Sequence, residues 1–334
     1  MATIAIFGAG AIGCWVGGRL AAGGARVTLI GRSRVMDEVR GGLRVTQLDG
    51  PEADVAVAAT TDAAAAAGAE LVIVTVKSAQ TAAAGAELAA VLGSGATVVS
   101  LQNGVRNADT LRGALPAQRV LAAMVPFNVV RRAPGAYHRA SQGKLMIDDE
   151  PASAPLIEAC RAARLAIEPR RDMPAVQWGK LVMNLNNAIN ALSGLPLAAE
   201  LSQRAFRRCL AAAQREALGS LAAANLAIAR LTAIPPRLMP RLLTLPDAIF
   251  SRLARRVIAI DPHARSSMLD DLEARRPTEI DYLQGEIVAL ADRVGRAAPV
   301  NRALVALVRA AEAGGKRDYT GGELAAALGF GAVT

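Results

Sequence analysis

Hydrophobic positions along the chain follow two regimes. From Thr3 to about Leu165, short apolar runs alternate with stretches of helical spacing. Thr3–Phe7, Arg26–Ile30 and Thr97–Leu101 read as strands, and Glu70–Lys77 (ELVIVTVK) is apolar on both faces, as strands of a buried parallel sheet are. Cys14–Ala22 carries helical spacing, Leu43–Val57 predicts shorter strands followed by an alanine-rich helix, and Val120–Val130 with Gly143–Ile147 completes the sheet. Pro151–Leu165 supplies one more helix, and near Arg170 the pattern becomes almost continuously helical. The chain therefore reads as α/β, a doubly wound parallel sheet over residues 1–169 followed by an all-helical domain over 170–334.

One helix stands out. Pro174 enters it and Gly194 closes it after Ser193, and Trp178, Leu181, Leu185, Ile189 and Leu192 form its apolar stripe. Lys180, Asn184 and Asn187 form a second stripe beside the first. No charge occurs between Lys180 and Glu200, so polar groups on so apolar a segment need something polar to face; a wetted helix face is the other reading. Of 38 basic residues only Lys77, Lys144, Lys180 and Lys316 are lysine. Arginine cannot take the place of a lysine that must lose its proton near neutral pH.

The first strand runs into Gly8-Ala9-Gly10-Ala11-Ile12-Gly13, which opens a helix. In that setting the glycines read as a dinucleotide fingerprint of the Rossmann type: a tight turn, a close approach of backbone to pyrophosphate, and close helix–strand packing. A glycine-rich turn without ligand is the competing reading. After the second strand, where an NAD-specific protein carries an acid for the ribose hydroxyls, stand Gly31-Arg32-Ser33-Arg34. Arg32 suits a 2'-phosphate, so NADPH is the expected cofactor; solvated loop arginines are the alternative. Lys77 and Gln102-Asn103-Gly104 sit at the carboxyl ends of later strands, where ligands of such sheets bind, though Asn103 reads equally well as a turn residue.

Later in the chain, a passage from Ile234 to Pro262 with five prolines breaks the helices and suits a flap or a subunit contact. Ser266-Ser267-Met-Leu-Asp270-Asp271 reads as a helix start with Ser267 as N-cap, which accounts for that serine as well as ligand binding does. Glu279 then begins a helix whose apolar face is Ile280, Leu283, Ile287, Leu290 and Val294, and its carboxylate suits the helix dipole.

A net charge of +9 and a pI near 10.3 raise nucleic-acid binding, but the arginines are dispersed, often beside acids, with no basic block interleaved with aromatics. Anionic small molecules are the better use of the charge. Cys14, Cys160 and Cys209 are widely spaced among apolar residues and read as reduced thiols. Residues 1–13 lack a basic n-region and belong to the first strand and turn, and no apolar run is long enough to span a membrane. A cytoplasmic protein with no nucleic-acid or membrane partner and no metal is expected; a homodimer stays open.

Together these features resemble the ketopantoate reductase family. The motifs are GAGAIG at 8–13, Arg32, Lys77, Gln102-Asn103-Gly104, Trp178-Gly-Lys180-Leu-Val-Met-Asn184, and Ser266-Ser267-Met268-Leu269 followed by Pro277-Thr278-Glu279-Ile280-Asp281. The resemblance implies a Rossmann domain and a helical domain with an active site in the cleft between them. It implies Lys180 as general acid, Glu279 and Ser267 holding a 2-oxo acid, Asn103 and Asn184 in the cleft, and Arg32 and Lys77 on NADPH. The family pattern has a second asparagine eight residues after the lysine, where this chain has Ala188; Asn187 shares the stripe of Lys180 and Asn184 and substitutes for it, whereas Asn186 faces elsewhere. With only His138 and His263 in the chain, neither in a motif, a lysine proton donor is coherent with hydride reduction of a ketone. The implied reaction is reduction of 2-dehydropantoate to (R)-pantoate. The alternatives are reduction of another 2-oxo acid or ketone, and a non-catalytic NADPH sensor.

Overall fold

The structure, a computed structural model, describes residues 2–48, 50–257 and 264–330. Pro262 and His263 therefore lie outside the described residues. The chain divides into two compact units, Met1–Met173 and Pro174–Thr334.

Twelve strands build the first unit: β1 Thr3–Phe7, β2 Arg26–Ile30, β3 Leu43–Gln47, β4 Ala53–Val55, β5 Ala58–Thr60, β6 Leu71–Val74, β7 Thr97–Ser100, β8 Arg119–Met124, β9 Val129–Ala133, β10 Ala136–Arg139, β11 Leu145–Asp148 and β12 Ile167–Arg170. Eight form one sheet in the order β12-β11-β8-β7-β6-β1-β2-β5, parallel from β8 to β5, with β11 antiparallel to β8. Its strands are buried on both faces because alternate residues feed two cores. Ile4, Ile6, Leu71 and Ile73 join Trp15 and Leu29 on one side. Ala5, Phe7, Val72 and Val74 join Leu88 and Val98 on the other. From β1 the chain winds outward to β2 and β5, then returns to β6 on the other flank of β1. The order reverses between β1 and β6, so the ligand position of this topology lies at the carboxyl ends of those two strands.

Three sequence expectations change here. The alanine-rich stretch after β5 forms a single 3-10 turn, Ala63–Ala66, opened by Asp62, whose carboxylate accepts from the Ala64 N–H; the chain must reach Leu71 beside β1, which leaves room for one turn. Val120–Val130 is two strands in different sheets, because Pro126 lacks an N–H for the ladder and the chain leaves β8 there. β9 and β10 combine with β3 and β4 in a second, four-stranded sheet, order β4-β3-β10-β9. Pro151–Leu165 is a helix over Ala154–Ala162 preceded by one 3-10 turn and followed by β12.

The second unit is helical. The helix expected over 174–193 divides into Met173–Asn184 and Asn186–Ser193, with Leu185 between them. Two buried side chains meet the backbone at this junction: Gln284 Nε2 donates to the Leu185 carbonyl at 2.8 Å, and Gln214 Nε2 donates to the Val182 carbonyl at 3.3 Å. Gly194 ends the second segment at φ +67, the left-handed cap that glycine adopts without strain. Trp178, Leu181, Leu185, Ile189 and Leu192 are all buried.

Arginines of the Arg204–Ala223 helix hold the described part of the proline-rich passage, Arg207 most of all. Arg207, fully buried in the Arg204–Ala223 helix, donates to the carbonyls of Leu201, Ser202, Leu243 and Leu245, pairs with Asp247 at 2.8 Å and lies over the Phe250 ring. Among the described residues no helix is long and apolar enough to cross a membrane. Arg207→Met is expected to lower the stability of this unit by about 2–4 kcal/mol, since four carbonyls and Asp247 lose their donor. Urea unfolding at neutral pH measures it.

Candidate active site

The glycine turn is positioned by β2. The N–H groups of Gly8 and Ala9 both donate to the Ile30 carbonyl at 2.9 Å, which pins the end of β1 to the end of β2. Gly8 sits at φ +88, and a Cβ there would lie 2.2 Å from Val76 Cγ1, just past β6. Gly13 packs the Ala11–Ala22 helix onto the sheet so closely that a Cβ would stand 2.5 Å from Thr75 Oγ1. Gly10 differs: a Cβ would meet nothing nearer than the Gly8 carbonyl at 3.9 Å. Nothing in the protein requires glycine at 10, so the open space there fits an approaching ligand.

The helix that follows begins with Gly10 as N-cap, with no capping side chain and no acid in its first turn. The first rung of its ladder is Cys14 N–H to Gly10 carbonyl, so the amides of Ala11, Ile12 and Gly13 precede it. Positive helix end, unladdered amides and open space together fit a pyrophosphate.

Arg32 stands two residues beyond Ile30 and is the N-cap residue of the Ser33–Arg40 helix. Arg32, Ser33 and Arg34 are exposed, and among the described residues neither arginine is held in an ion pair. Lys77 is half-buried at the turn after β6, and Asn103 is exposed after β7. Those two turns are tied together by a polar network that sequence reasoning missed. Gln102 Nε2 donates to the Val76 carbonyl at 2.9 Å and to Thr81 Oγ1 at 2.8 Å, and Thr81 donates to Asn107 Oδ1. Asn107 Nδ2 donates to the Asn103 carbonyl, as does Ser78 Oγ. The signal for it in the sequence is Gln102 itself, an amide at the end of an apolar strand.

In the second unit Lys180 is half-buried, and among the described residues no hydrogen bond or ion pair holds its ammonium. Burial without a compensating anion brings its pKa down to about 8. Asn184 and Asn187 lie half-buried on the same run, and their side-chain amides also have no protein partner among the described residues. Asn186 faces away, toward buried Glu200.

Two helix starts differ from expectation. Ser266, not Ser267, is the N-cap of Ser267–Glu273: its Oγ accepts from Leu269 N–H at 3.1 Å. Ser266 is chosen because its N–H donates to Asn190 Oδ1 at 2.9 Å and its Oγ reaches the Asn187 carbonyl, so the chain enters the helix one residue earlier. Ser267 is thereby relieved of capping and is exposed one residue from these contacts. Glu279 precedes a 3-10 turn, Ile280–Tyr282, and the long helix begins only at Gln284 with Glu286 in its first turn, so Glu279 does not serve that helix's dipole. Leu283, at φ −116 and ψ −89, interrupts the two. Glu279 is half-buried.

The three thiols are buried and far from ionisation, that of Cys14 pushed up to about 11 and those of Cys160 and Cys209 to about 12. His138 is buried in the second sheet, its Nδ1 2.7 Å from Thr46 Oγ1. Among the described residues no group of three metal-ligating side chains occurs.

Residues 4–151 match the family description "Ketopantoate reductase PanE/ApbA", and residues 172–312 match its C-terminal counterpart. The 2-dehydropantoate 2-reductase of Halobacterium salinarum is 31% identical over 93% of this chain and 99% of its own length. That of Mesorhizobium japonicum is 30% identical over 92% and 96%. Among solved structures, a PanE/ApbA family ketopantoate reductase from Ralstonia eutropha superposes with a TM-score of 0.81 at 33% identity, covering 93% of this chain and 99% of that one. D-mandelate dehydrogenase, solved with NADH and anilino(oxo)acetate, shares the fold with a TM-score of 0.79 at 19% identity, over 93% and 99%. By these matches along both units, the chain belongs to the ketopantoate reductase family and is an oxidoreductase.

Proposed function

We propose that this protein reduces 2-dehydropantoate to (R)-pantoate with NADPH, a step toward pantothenate and coenzyme A, with Lys180 as the proton donor. The observation that carries the reading is the half-buried Lys180 ammonium, without a protein partner among the described residues and with its pKa brought to about 8. A general acid works best when its pKa lies near the operating pH.

When bound, the nicotinamide supplies a hydride to the ketone carbon. The protein's part is to hold the two reactants and manage charge. The amides of Ala11, Ile12 and Gly13 receive the pyrophosphate, Gly8, Ala9 and Gly10 shape the turn beneath it, and Arg32 with Lys77 binds the remaining phosphate. Asn103, Asn184, Asn187 and Ser267 supply neutral donors for the substrate carboxylate and carbonyl, and Glu279 accepts from a substrate hydroxyl. As the carbonyl oxygen gains charge, Lys180 Nζ stabilises it and then delivers its proton, leaving a neutral amine that takes up a proton from water. The family of the matched relatives and the polar stripe on the Lys180 helix support these roles. The wider family fold also serves D-mandelate dehydrogenase, so turnover compared across several 2-oxo acids, NADH run in parallel, tests substrate and cofactor together; faster turnover of a competitor than of ketopantoate would overturn the assignment.

Gly10→Val is expected to leave unfolding stability within about 1 kcal/mol while weakening NADPH binding more than tenfold, because its side chain fills only the ligand's space. Fluorescence titration and urea unfolding on one preparation check both. Arg32→Ala should cost about 1–3 kcal/mol of NADPH affinity and leave NADH nearly unchanged. Lys180→Ala should reduce kcat by about 10²–10⁴-fold with NADPH affinity unchanged, read by stopped-flow and titration. Reduction requires the ammonium, so its kcat should fall as pH rises through about 8, whereas pantoate oxidation, which requires the neutral amine, should rise across the same range.

A further inference from the structure

Behind the Lys180 run lies a buried carboxyl group for which the proposed reaction has no use. Glu200, in the short helix Leu197–Ser202, is fully buried in an otherwise neutral setting. Its Oε2 accepts from Asn190 Nδ2 at 2.7 Å and, more weakly, from Asn186 Nδ2 at 3.5 Å. Its other oxygen, Oε1, is buried with no donor, and so is Asn186 Oδ1. Two buried acceptors without a donor lie on groups that already touch. A carboxylate would leave both unsatisfied, whereas one proton on Oε1 provides the missing donor.

The same carboxyl group is linked to the substrate stripe through Asn190. With Nδ2 held by Glu200 and by the Leu195 carbonyl at 2.8 Å, the Asn190 amide can turn only its Oδ1 outward, and that oxygen receives the Ser266 N–H at 2.9 Å. Ser266 in turn caps the Ser267–Glu273 helix and bonds the Asn187 carbonyl. The connection runs from Glu200 to Asn190, to Ser266, and so to Ser267 and Asn187.

We propose that Glu200 is a positioning residue kept in its protonated, neutral form, which orients Asn190 and thereby docks the Ser266–Ser267 helix start beside Asn187. Its effect on substrate binding rests on the function proposed above; its effect on the docking does not. Glu200 supplies no proton to the reaction and touches no reacting atom.

Its surroundings allow the neutral form. The Asn186–Ser193 helix presents asparagines and a serine and no charge. From the Arg204–Ala223 helix the titratable neighbour is Cys209, a neutral thiol; Arg207 is turned to Asp247, Arg204 to the Thr244 carbonyl, and Arg208 acts on Cys209. On the Asp247–Val257 helix, Asp247 is occupied by Arg207 and Arg252 is exposed. Arg265, on the segment leading to Ser266, pairs with Asp270 and Glu273. With no cation among the described residues to favour ionisation, burial raises the Glu200 pKa from 4.5 to about 8. A raised folded-state pKa gives stability that is complete below about 4.5 and is lost as pH rises to about 8.

The test compares Glu200→Gln, a neutral isostere with an acceptor for Asn190 and a donor for Asn186, with Glu200→Ala. Amide hydrogen exchange at Ser266 and Leu269 in the ligand-free protein should accelerate about tenfold or more in Glu200→Ala and stay within about threefold of wild type in Glu200→Gln. Thermal melts from about pH 5 to pH 9 should show wild type losing stability relative to Glu200→Gln, which has no proton to release, up to about pH 8 and levelling off above it. In turnover, Glu200→Ala should raise KM for ketopantoate about tenfold with kcat little changed, and Glu200→Gln should restore it. A wild-type to Gln melting difference that is constant with pH, or a Gln variant that exchanges like the Ala variant, would overturn the proposal. The expected exchange and melting results with an unchanged KM would uphold the docking role and count against the function reading of Ser267 instead.

Discussion

The close passage of the first turn over the exit of β6 is the constraint on which the dinucleotide half depends. The turn at Gly8 and the helix at Gly13 come so near Val76 and Thr75 that a single Cβ would overlap them. Only with both contacts made do β1 and β6 lie side by side in register, Ile4 opposite Leu71 through Phe7 opposite Val74, with the helix end held above their carboxyl termini. Sheet order, open space at Gly10 and unladdered amides all follow from that approach.

The helical half is governed by a different requirement, the satisfaction of amides inside an apolar interior. Gln214 and Gln284 donate to the carbonyls of Val182 and Leu185 at the interruption before Asn186, while Asn190 joins Glu200 to Ser266. Each buried amide fixes the orientation of the next element. On the same run the side chains of Lys180, Asn184 and Asn187 are half-buried and have no protein partner among the described residues. Partnered Asn190 and unpartnered Asn184 and Asn187 look alike as letters in a sequence, and only the fold tells them apart.

Charge is distributed to the same end. Many surface arginines are paired with acids, among them Arg44 with Asp54, Arg170 with Asp172 and Arg302 with Asp292, which leaves the fold balanced locally. Arg32 and Arg34 are exceptions beside the glycine turn, and an exposed cation next to a helix N-terminus attracts phosphate without perturbing the core.

By itself the sequence determined the fold class, the glycine fingerprint with Arg32 beyond the second strand, the apolar and polar stripes around Lys180, and the family, because these are carried by local periodicity and by residue types at short spacing. Tertiary structure decided what depends on partners distant in the chain. The local pairs β3–β4 and β9–β10 join into a separate sheet through one pairing of strands some ninety residues apart, Val45 beside Tyr137. The alanine-rich stretch became one turn because β6 had to begin beside β1. The interruption at Leu185 lies where Gln284, about a hundred residues on, reaches its carbonyl, and Ser266 rather than Ser267 became the cap because Asn190 holds its N–H. Either serine satisfies local capping preference, and only a contact 76 residues away in sequence selects between them.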